Sequence, residues 1–396
     1  DKGEAALKSK LARYENQIKG GVKFECSDKW FNKAYQVAKA NLVILMCDLS
    51  PFLGPYLYAG IPEYVQLFGT DTAYSIPCIT ASVFHEVARE ALSQLGFKAS
   101  TQCGRVPHEV TTNGRIFHPG NTQETSQFCI ACWSYIKWTG DRGFLEWAYP
   151  LCQEGVLDYS PAHWDTDLDY YLDGNSMVER PGMGDEKLDS VVYFDRAIFA
   201  LAEMANALGR SVERARYLDL AELLRESINE DFWIESESLF ADSLEEDHSQ
   251  KLDGHWIVAV PMEANVADRD KGARALRRIE KDWVNEWGLV HTREREELVW
   301  TLPTGVLAMA EFNYGNVDID TAGGEGKFTF TRVPAPRQVQ QEIMARVAGH
   351  QERRQQAESA RRRKEITDWF AVYEKLRQER QGQERPPSSS PAFPPP

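Results

Sequence analysis

From Thr122 to Trp138 the sequence keeps a helical step through Phe128, Ala131, Tyr135 and Trp138. Ile130, Cys132, Trp133 and Ile136 fill the remaining faces, and after Glu124 the next charge is Lys137. A helix that is apolar all round must be enclosed by protein on every side. Further along, Val191, Phe194, Ile198, Leu201, Ala205 and Leu208 step by three and four, with Asp195, Arg196 and Glu203 off the stripe and Gly209 as the stop. Tyr217, Leu220, Leu224 and Ile228 repeat the pattern at once, which predicts a helical hairpin. An earlier amphipathic helix carries Phe31, Ala34, Ala38, Leu42 and Leu45, with Ser27 as its expected N-cap. Enclosed helices alternating with one-faced helices, joined by long loops, predict two concentric helical rings. The fold class is therefore all-α, a toroid of the (α/α)6 type. Strand signals are sparse and short, at 232–233, 239–240 and 328–331.

The organisation follows from composition. Residues 1–26 form a charged lead-in and 27–318 the barrel. A Gly-rich link occupies 319–337. The stretch 338–385, rich in Gln, Arg and Glu, is expected to form one long solvated helix, and 386–396 is a Pro/Ser tail expected to be disordered.

A hydrophobic content of 42% with 11 tryptophans supports a large core, while a net charge of −15 argues against nucleic acid as a partner of the barrel. An acidic, aromatic-rich chain suits neutral polyhydroxyl ligands, so an oligosaccharide or polysaccharide is the expected partner. Seven cysteines without a dense framework read as reduced thiols, including the Cys129-x-x-Cys132 pair, and the expected location is cytoplasmic. No run approaches the ~20 apolar residues of a membrane span. No cofactor and no metal are expected. The oligomeric state is open.

Hydrolysis of a glycosidic bond needs one protonated and one ionised carboxyl flanking it. Asp165, Asp167, Asp169, Asp173, Glu179, Asp185, Glu186 and Asp189 crowd one loop before the helix at Leu188. Such density raises pKa values, as a general acid requires, although an acidic loop of this kind is also what a solvated surface looks like. Asp165-x-Asp167-x-Asp169 matches the start of a calcium loop, but Tyr170 and Ser176 stand where an EF-hand needs Gly and Glu. Three smaller clusters stand out: Asp71 on a Gly turn, His108-Glu109 in a polar loop, and His255-Trp256 before Pro261-Met262-Glu263. Each also has a plain reading, as an N-cap, a loop histidine and a core tryptophan.

Together these segments resemble the six-hairpin glycosidases, in particular the glycogen-debranching, amylo-α-1,6-glucosidase-related type. The resemblance rests on Gly60-Ile-Pro-Glu-Tyr-Val-Gln-Leu-Phe-Gly-Thr-Asp-Thr, Gly104-Arg-Val-Pro-His-Glu-Val, Trp138-Thr-Gly-Asp141, Met177-Val-Glu-Arg-Pro-Gly-Met-Gly-Asp-Glu-Lys-Leu-Asp, and Thr301-Leu-Pro-Thr-Gly-Val. It implies inverting hydrolysis of an α-glucosidic bond, with Glu179 as general acid and Glu186 as the second acidic residue. Asp71, His108, Glu109, Asp189, Tyr193 and Trp256 would bind the sugar. Thr70 and Glu63 depart from the pattern, standing where the family has Arg and an aromatic residue.

Past Asn313-Tyr-Gly315 the family continues with further helices and a late loop carrying the general base, whereas this chain enters its Gln/Arg-rich tail. The stretch 333–347 loosely resembles a helix of type I restriction specificity subunits. The resemblance therefore implies an incomplete barrel, weakly active or inactive. Two other functions fit the same residues: a non-catalytic carbohydrate-binding or scaffold protein, and a lyase or epimerase drawing on His108 or Tyr193.

Overall fold

The computed structural model describes residues 2–20, 22–178, 182–293 and 295–314 (backbone alone at 295–297), and the backbone of 319–320 and 327–328. Glu179, most of the linker, and the expected helix at 338–385 with its Pro/Ser tail lie outside the described residues. The chain divides into two compact units, one of Asp1–Val317 with Thr321–Glu325, the other of Asp318–Asp320 with Gly326–Pro396.

Twelve α-helices are described in the first unit: α1 (Lys2–Gly20), α2 (Lys29–Leu45), α3 (Gly69–Ala81), α4 (His85–Ser100), α5 (Thr122–Thr139), α6 (Arg142–Gln153), α7 (Ser160–Trp164), α8 (Leu188–Ala207), α9 (Ser211–Asp231), α10 (Val260–Glu263), α11 (Arg269–Asp282) and α12 (Thr301–Tyr314). A π-helical stretch, Glu154–Tyr159, joins α6 to α7, and a 3-10 turn, Trp256–Ala259, leads into α10. Helices α3, α5, α8, α10 and α12 pack against one another in chain order, while α4, α6, α9 and α11 lie outside them. Among the described residues α3, α5, α8 and α10 are each followed by an outer helix running back, so these inner helices start at the same end. This is the double-ring arrangement that the helical periodicity predicts. None of the described helices is long and apolar enough to cross a membrane.

Local chemistry sets the helix ends. Asp28, one residue past the expected Ser27, caps α2, its Oδ1 accepting from the Phe31 N–H at 2.8 Å. Asn121 and Glu124 form a reciprocal capping box on α5, and Gly140 closes that helix in the left-handed region at φ 68°. Asp141 caps α6 through the Phe144 N–H at 2.9 Å and also accepts from Arg89 Nε at 3.1 Å and Tyr135 Oη at 3.2 Å. Cys129, Cys132 and Cys152 are buried and unbridged, as plain core cysteines.

The largest departure from the sequence reading is α8. Asp195, off the apolar stripe, is fully buried and meets Arg225 of α9 at 3.6 Å, so this helix belongs to the inner ring and is enclosed all round.

The strands are short: β1 (Met46–Leu49), β2 (Leu53–Leu57), β3 (Leu67–Phe68), β4 (Glu109–Val110), β5 (Ile116–His118), β6 (Glu186–Lys187), β7 (Trp233–Ile234), β8 (Leu239–Phe240), β9 (Ser243–Leu244), β10 (Gln250–Lys251), β11 (Val284–Asn285), β12 (Gly288–Thr292) and β13 (Arg295–Val299). Nearly all sit in the loops that enter inner helices. The antiparallel sheet β3–β4–β5 joins the loops before α3 and α5, and β6–β9–β10 joins those before α8 and α10. The second unit's described residues are β14 (Ile319–Asp320) and β15 (Lys327–Phe328), paired antiparallel.

Candidate active site

The common end of the inner helices is where sheets and long loops gather, and most of the sequence-predicted residues lie there. Gly69 opens α3 and donates its N–H to the His108 carbonyl at 2.9 Å. A Cβ at this position would stand 2.5 Å from the Pro107 carbonyl oxygen, so only glycine lets the two loops approach this closely. The approach places Thr70, Asp71 and His108 around the first turn of α5.

Glu124 organises that corner. Its side chain is buried. Oε2 accepts from the Asn121 N–H at 2.6 Å, while Oε1 accepts from Gln123 Nε2 at 2.9 Å and Thr70 Oγ1 at 3.2 Å and lies 2.7 Å from His108 Nδ1. Thr70 Oγ1, which carries one proton, also lies 2.9 Å from Gln127 Oε1. His108 is edge-on to both Phe68 and His118. Asp71 is exposed, yet the surrounding protein partly desolvates its carboxyl and raises its pKa; Glu124 adds to the rise and His108 opposes it. Glu109 is half-buried in β4, opposite Phe68 and His118.

One layer deeper, Tyr74, Gln127 and Tyr193 occupy the sixth positions of α3, α5 and α8, and so one depth in the barrel at ~1.5 Å of rise per residue. The hydroxyls of Tyr74 and Tyr193 are hydrogen-bonded to each other, and Tyr193 Oη donates to Glu263 Oε2 at 3.4 Å. Burial raises the Glu263 pKa to about 7, against the opposing pull of the Tyr193 hydrogen bond and of Arg196. A carboxyl of this kind exchanges a proton near neutral pH, the property expected of a general acid or base. Tyr193, 5% exposed, therefore lies beneath the rim and joins Tyr74 to Glu263.

Two expected sugar-binding residues have other surroundings. Trp256 is 3% exposed, so its ring packs in the core beside His255 and presents no face to a sugar. Asp189 is 0% exposed, and its Oδ2 accepts from the Met177 N–H at 3.1 Å. Burial raises its pKa to about 6, opposed by hydrogen bonds from Ser176 and Met177. Its carboxyl thus grips the loop that runs on toward Glu179. Asp242, also 0% exposed, grips the neighbouring loop in the same way, accepting from the Gly254 and His255 N–H groups at 2.8 Å each. Burial lifts it to about 7.

The acidic loop before α8 is built rather than merely solvated. Asp165 accepts from the Asp169 and Tyr170 N–H groups at 3.1 and 3.2 Å, and Asp173 accepts from the Thr166 N–H at 3.1 Å. Glu186, 1% exposed in β6, pairs with Leu244 on one side and Asp173 on the other. Burial first, then Asp169, Asp173, Asp167 and Asp185, push its carboxyl up to about 8. The strand passes close because Gly184 precedes it; a Cβ there would stand 2.1 Å from the Leu244 carbonyl oxygen.

A family profile described as the bacterial alpha-L-rhamnosidase 6 hairpin glycosidase domain matches residues 80–309, more than half of the chain. The chain belongs to that family. This bears out the six-hairpin superfamily and its fold. The narrower glycogen-debranching expectation finds no support, since the matching profile is the rhamnosidase one.

Solved structures share the fold. A GH78 family rhamnosidase of Bacillus sp. GL1 superposes with a TM-score of 0.54 at 16% identity over 64% of this chain and 26% of that one. A rhamnosidase from Klebsiella oxytoca with rhamnose bound gives 0.57 at 11% identity over 75% of this chain and 54% of that one. Neutral trehalase from Saccharomyces cerevisiae gives 0.52 at 10% identity over 67% of this chain and 65% of that one. The chain thus spans about a quarter of the Bacillus enzyme and about half of the Klebsiella one. No curated protein matches in sequence.

The clustered polar and acidic side chains at this end make it the candidate site of the family domain. Sequence reasoning missed Glu263, Tyr74, Glu124 and Gln127 as its members. Glu263 alone had a sequence signal, the polar end of the His255–Glu263 segment.

Proposed function

We propose that this chain hydrolyses a glycosidic bond at the mouth of the inner ring, with α-L-rhamnosides as the substrate class. The observation that carries the reading is the Tyr74–Tyr193–Glu263 hydrogen-bond chain across three inner helices, which engages a carboxyl that burial raises to about 7 in the barrel of a glycosidase family. Glu179, by its place in the loop motif, protonates the glycosidic oxygen. Glu263, favoured in its ionised form by the Tyr193 hydroxyl, takes the proton of the attacking water. His108 and Asp71 hold sugar hydroxyls at the rim, with Glu124 fixing the imidazole. Asp189 anchors the backbone of Met177, two positions before Glu179 in the sequence.

Incubating the protein with an aryl α-L-rhamnoside and, separately, an α-1,6-linked glucose oligosaccharide tests this reading. Release of rhamnose is expected, with Glu179→Gln lowering the rate ~10²–10⁴-fold, the usual contribution of a general acid. Glucose release without rhamnose release would replace the substrate class by the debranching type. Calorimetric sugar binding with neither bond cut would favour a non-catalytic carbohydrate-binding protein. A product mass lacking the added water would favour a lyase.

A further inference from the structure

Beside the site just described, four side chains from two loops converge. One ligand atom from each of Asp167, Asp169, Glu186 and His248 lies within 4.8 Å of the others. His248 Nε2 stands 3.4 Å from Asp169 Oδ2 and 4.0 Å from Asp167 Oδ2. Glu186 supplies the independent sign that this is more than an acidic surface. It is 1% exposed, it points into the cluster, and its Oε2 is buried with no hydrogen-bond partner. A buried carboxylate oxygen without a donor is costly, and proteins offset that cost with a cation or a proton. The neighbouring lysines do not supply the cation. Lys187 Nζ donates to the Gly174 carbonyl at 2.6 Å, and Lys251 is engaged by Glu245 and the Gly182 carbonyl.

We propose that Asp167, Asp169, Glu186 and His248 bind a divalent first-row transition-metal ion that fastens the loop before α8 to the turn between β9 and β10. An imidazole nitrogen among three carboxylates selects manganese, iron or zinc over calcium and magnesium, whose sites are built from oxygen. Asp165 stands outside the cluster, its two oxygens accepting from the Asp169 and Tyr170 N–H groups. An open acidic recess lined by Asp185, Glu245, Glu246 and Asp247 adjoins the cluster and concentrates cations there. The bound ion acts as a clasp: it joins segments about eighty positions apart in sequence and so fixes one side of the barrel mouth.

Manganese(II) is the probe of choice, because exposed Cys26, Cys78 and Cys103 would compete for zinc. The full chain is stripped with a chelator and titrated with manganese(II), followed by electron paramagnetic resonance and thermal melting. One saturable site per chain and a raised melting temperature are expected, with calcium binding more weakly. Glu186→Gln and His248→Gln each weaken binding by roughly tenfold or more, since even outer partners of metal ligands contribute that much. His248 is exposed enough that its variant keeps the fold, which circular dichroism checks. Failure of the wild type to saturate, an affinity unchanged in both variants, or a preference for calcium over manganese each overturns the proposal. None of these readouts involves sugar turnover, so they are independent of the hydrolase reading.

Discussion

Asp189→Asn tests how the acidic loop is held. The Asp189 carboxyl is wholly buried and its pKa rises from 3.8 to about 6 in the folded chain. Because the folded value lies above the unfolded one, the wild type is penalised as pH rises from the unfolded value through about 6, and the penalty levels off above that. Each pH unit of displacement is worth about 1.4 kcal/mol, so the penalty reaches about 3 kcal/mol at pH 8 and about half of that at pH 5. Asparagine keeps an oxygen to accept the Met177 N–H and carries no titrating proton. Its effect on stability is therefore a constant offset plus a gain that grows by about 1–2 kcal/mol between pH 5 and pH 8. Urea unfolding of both proteins across that range measures the gap directly. A gap that stays constant with pH, or that moves against the variant at high pH, would refute the claim that Asp189 is a desolvated carboxyl in the folded barrel.

Asp141→Ala removes the cap of α6 together with the Arg89 and Tyr135 contacts; a loss of ~1–2 kcal/mol is expected from the cap, read as a lower melting temperature. Gly69→Ala forces a Cβ against the Pro107 carbonyl, and a cost of ~1–3 kcal/mol is expected in urea unfolding, with weaker sugar binding as His108 shifts. Tyr193→Phe deletes the hydroxyl that favours ionised Glu263, so the Glu263 pKa climbs above about 7 and the basic form is lost at neutral pH. The pH profile of hydrolysis moves toward alkali as a result, which initial rates between pH 5 and pH 9 measure.

The helical rings were legible because burial on all sides erases the polar face, and Phe128 to Ile136 carry that erasure in one dimension. The mouth was legible where loops carry unusual residues at short spacing, as at Asp71, His108 and the 165–189 run. What escaped has physical reasons. Asp195 reads as surface because a lone Asp gives no sign of a partner thirty residues on, and Arg225 is that partner. Tyr74 looks like an ordinary helical residue, and Glu263 only like the polar end of its segment, until the packing of α3, α8 and α10 joins their hydroxyl and carboxyl through Tyr193. The polar first turns of α5 are buried too, by the capping box and the mouth loops. Strands of two residues, such as β6, β9 and β10, are shorter than any period the sequence can display. The nearness of His248 to Asp169 depends on them.

Those small sheets have a consequence for how such a barrel changes its substrate. Because β3, β4 and β5 tie the entry to α3 to the entry to α5, and β6, β9 and β10 tie the entry to α8 to that of α10, the rim is inherited as two stitched pairs rather than four separate loops. An insertion in one member pulls its register partner with it. Recutting the pocket for a larger sugar therefore requires matched changes in both halves of a pair, and swapping whole pairs between relatives is the edit the architecture tolerates best.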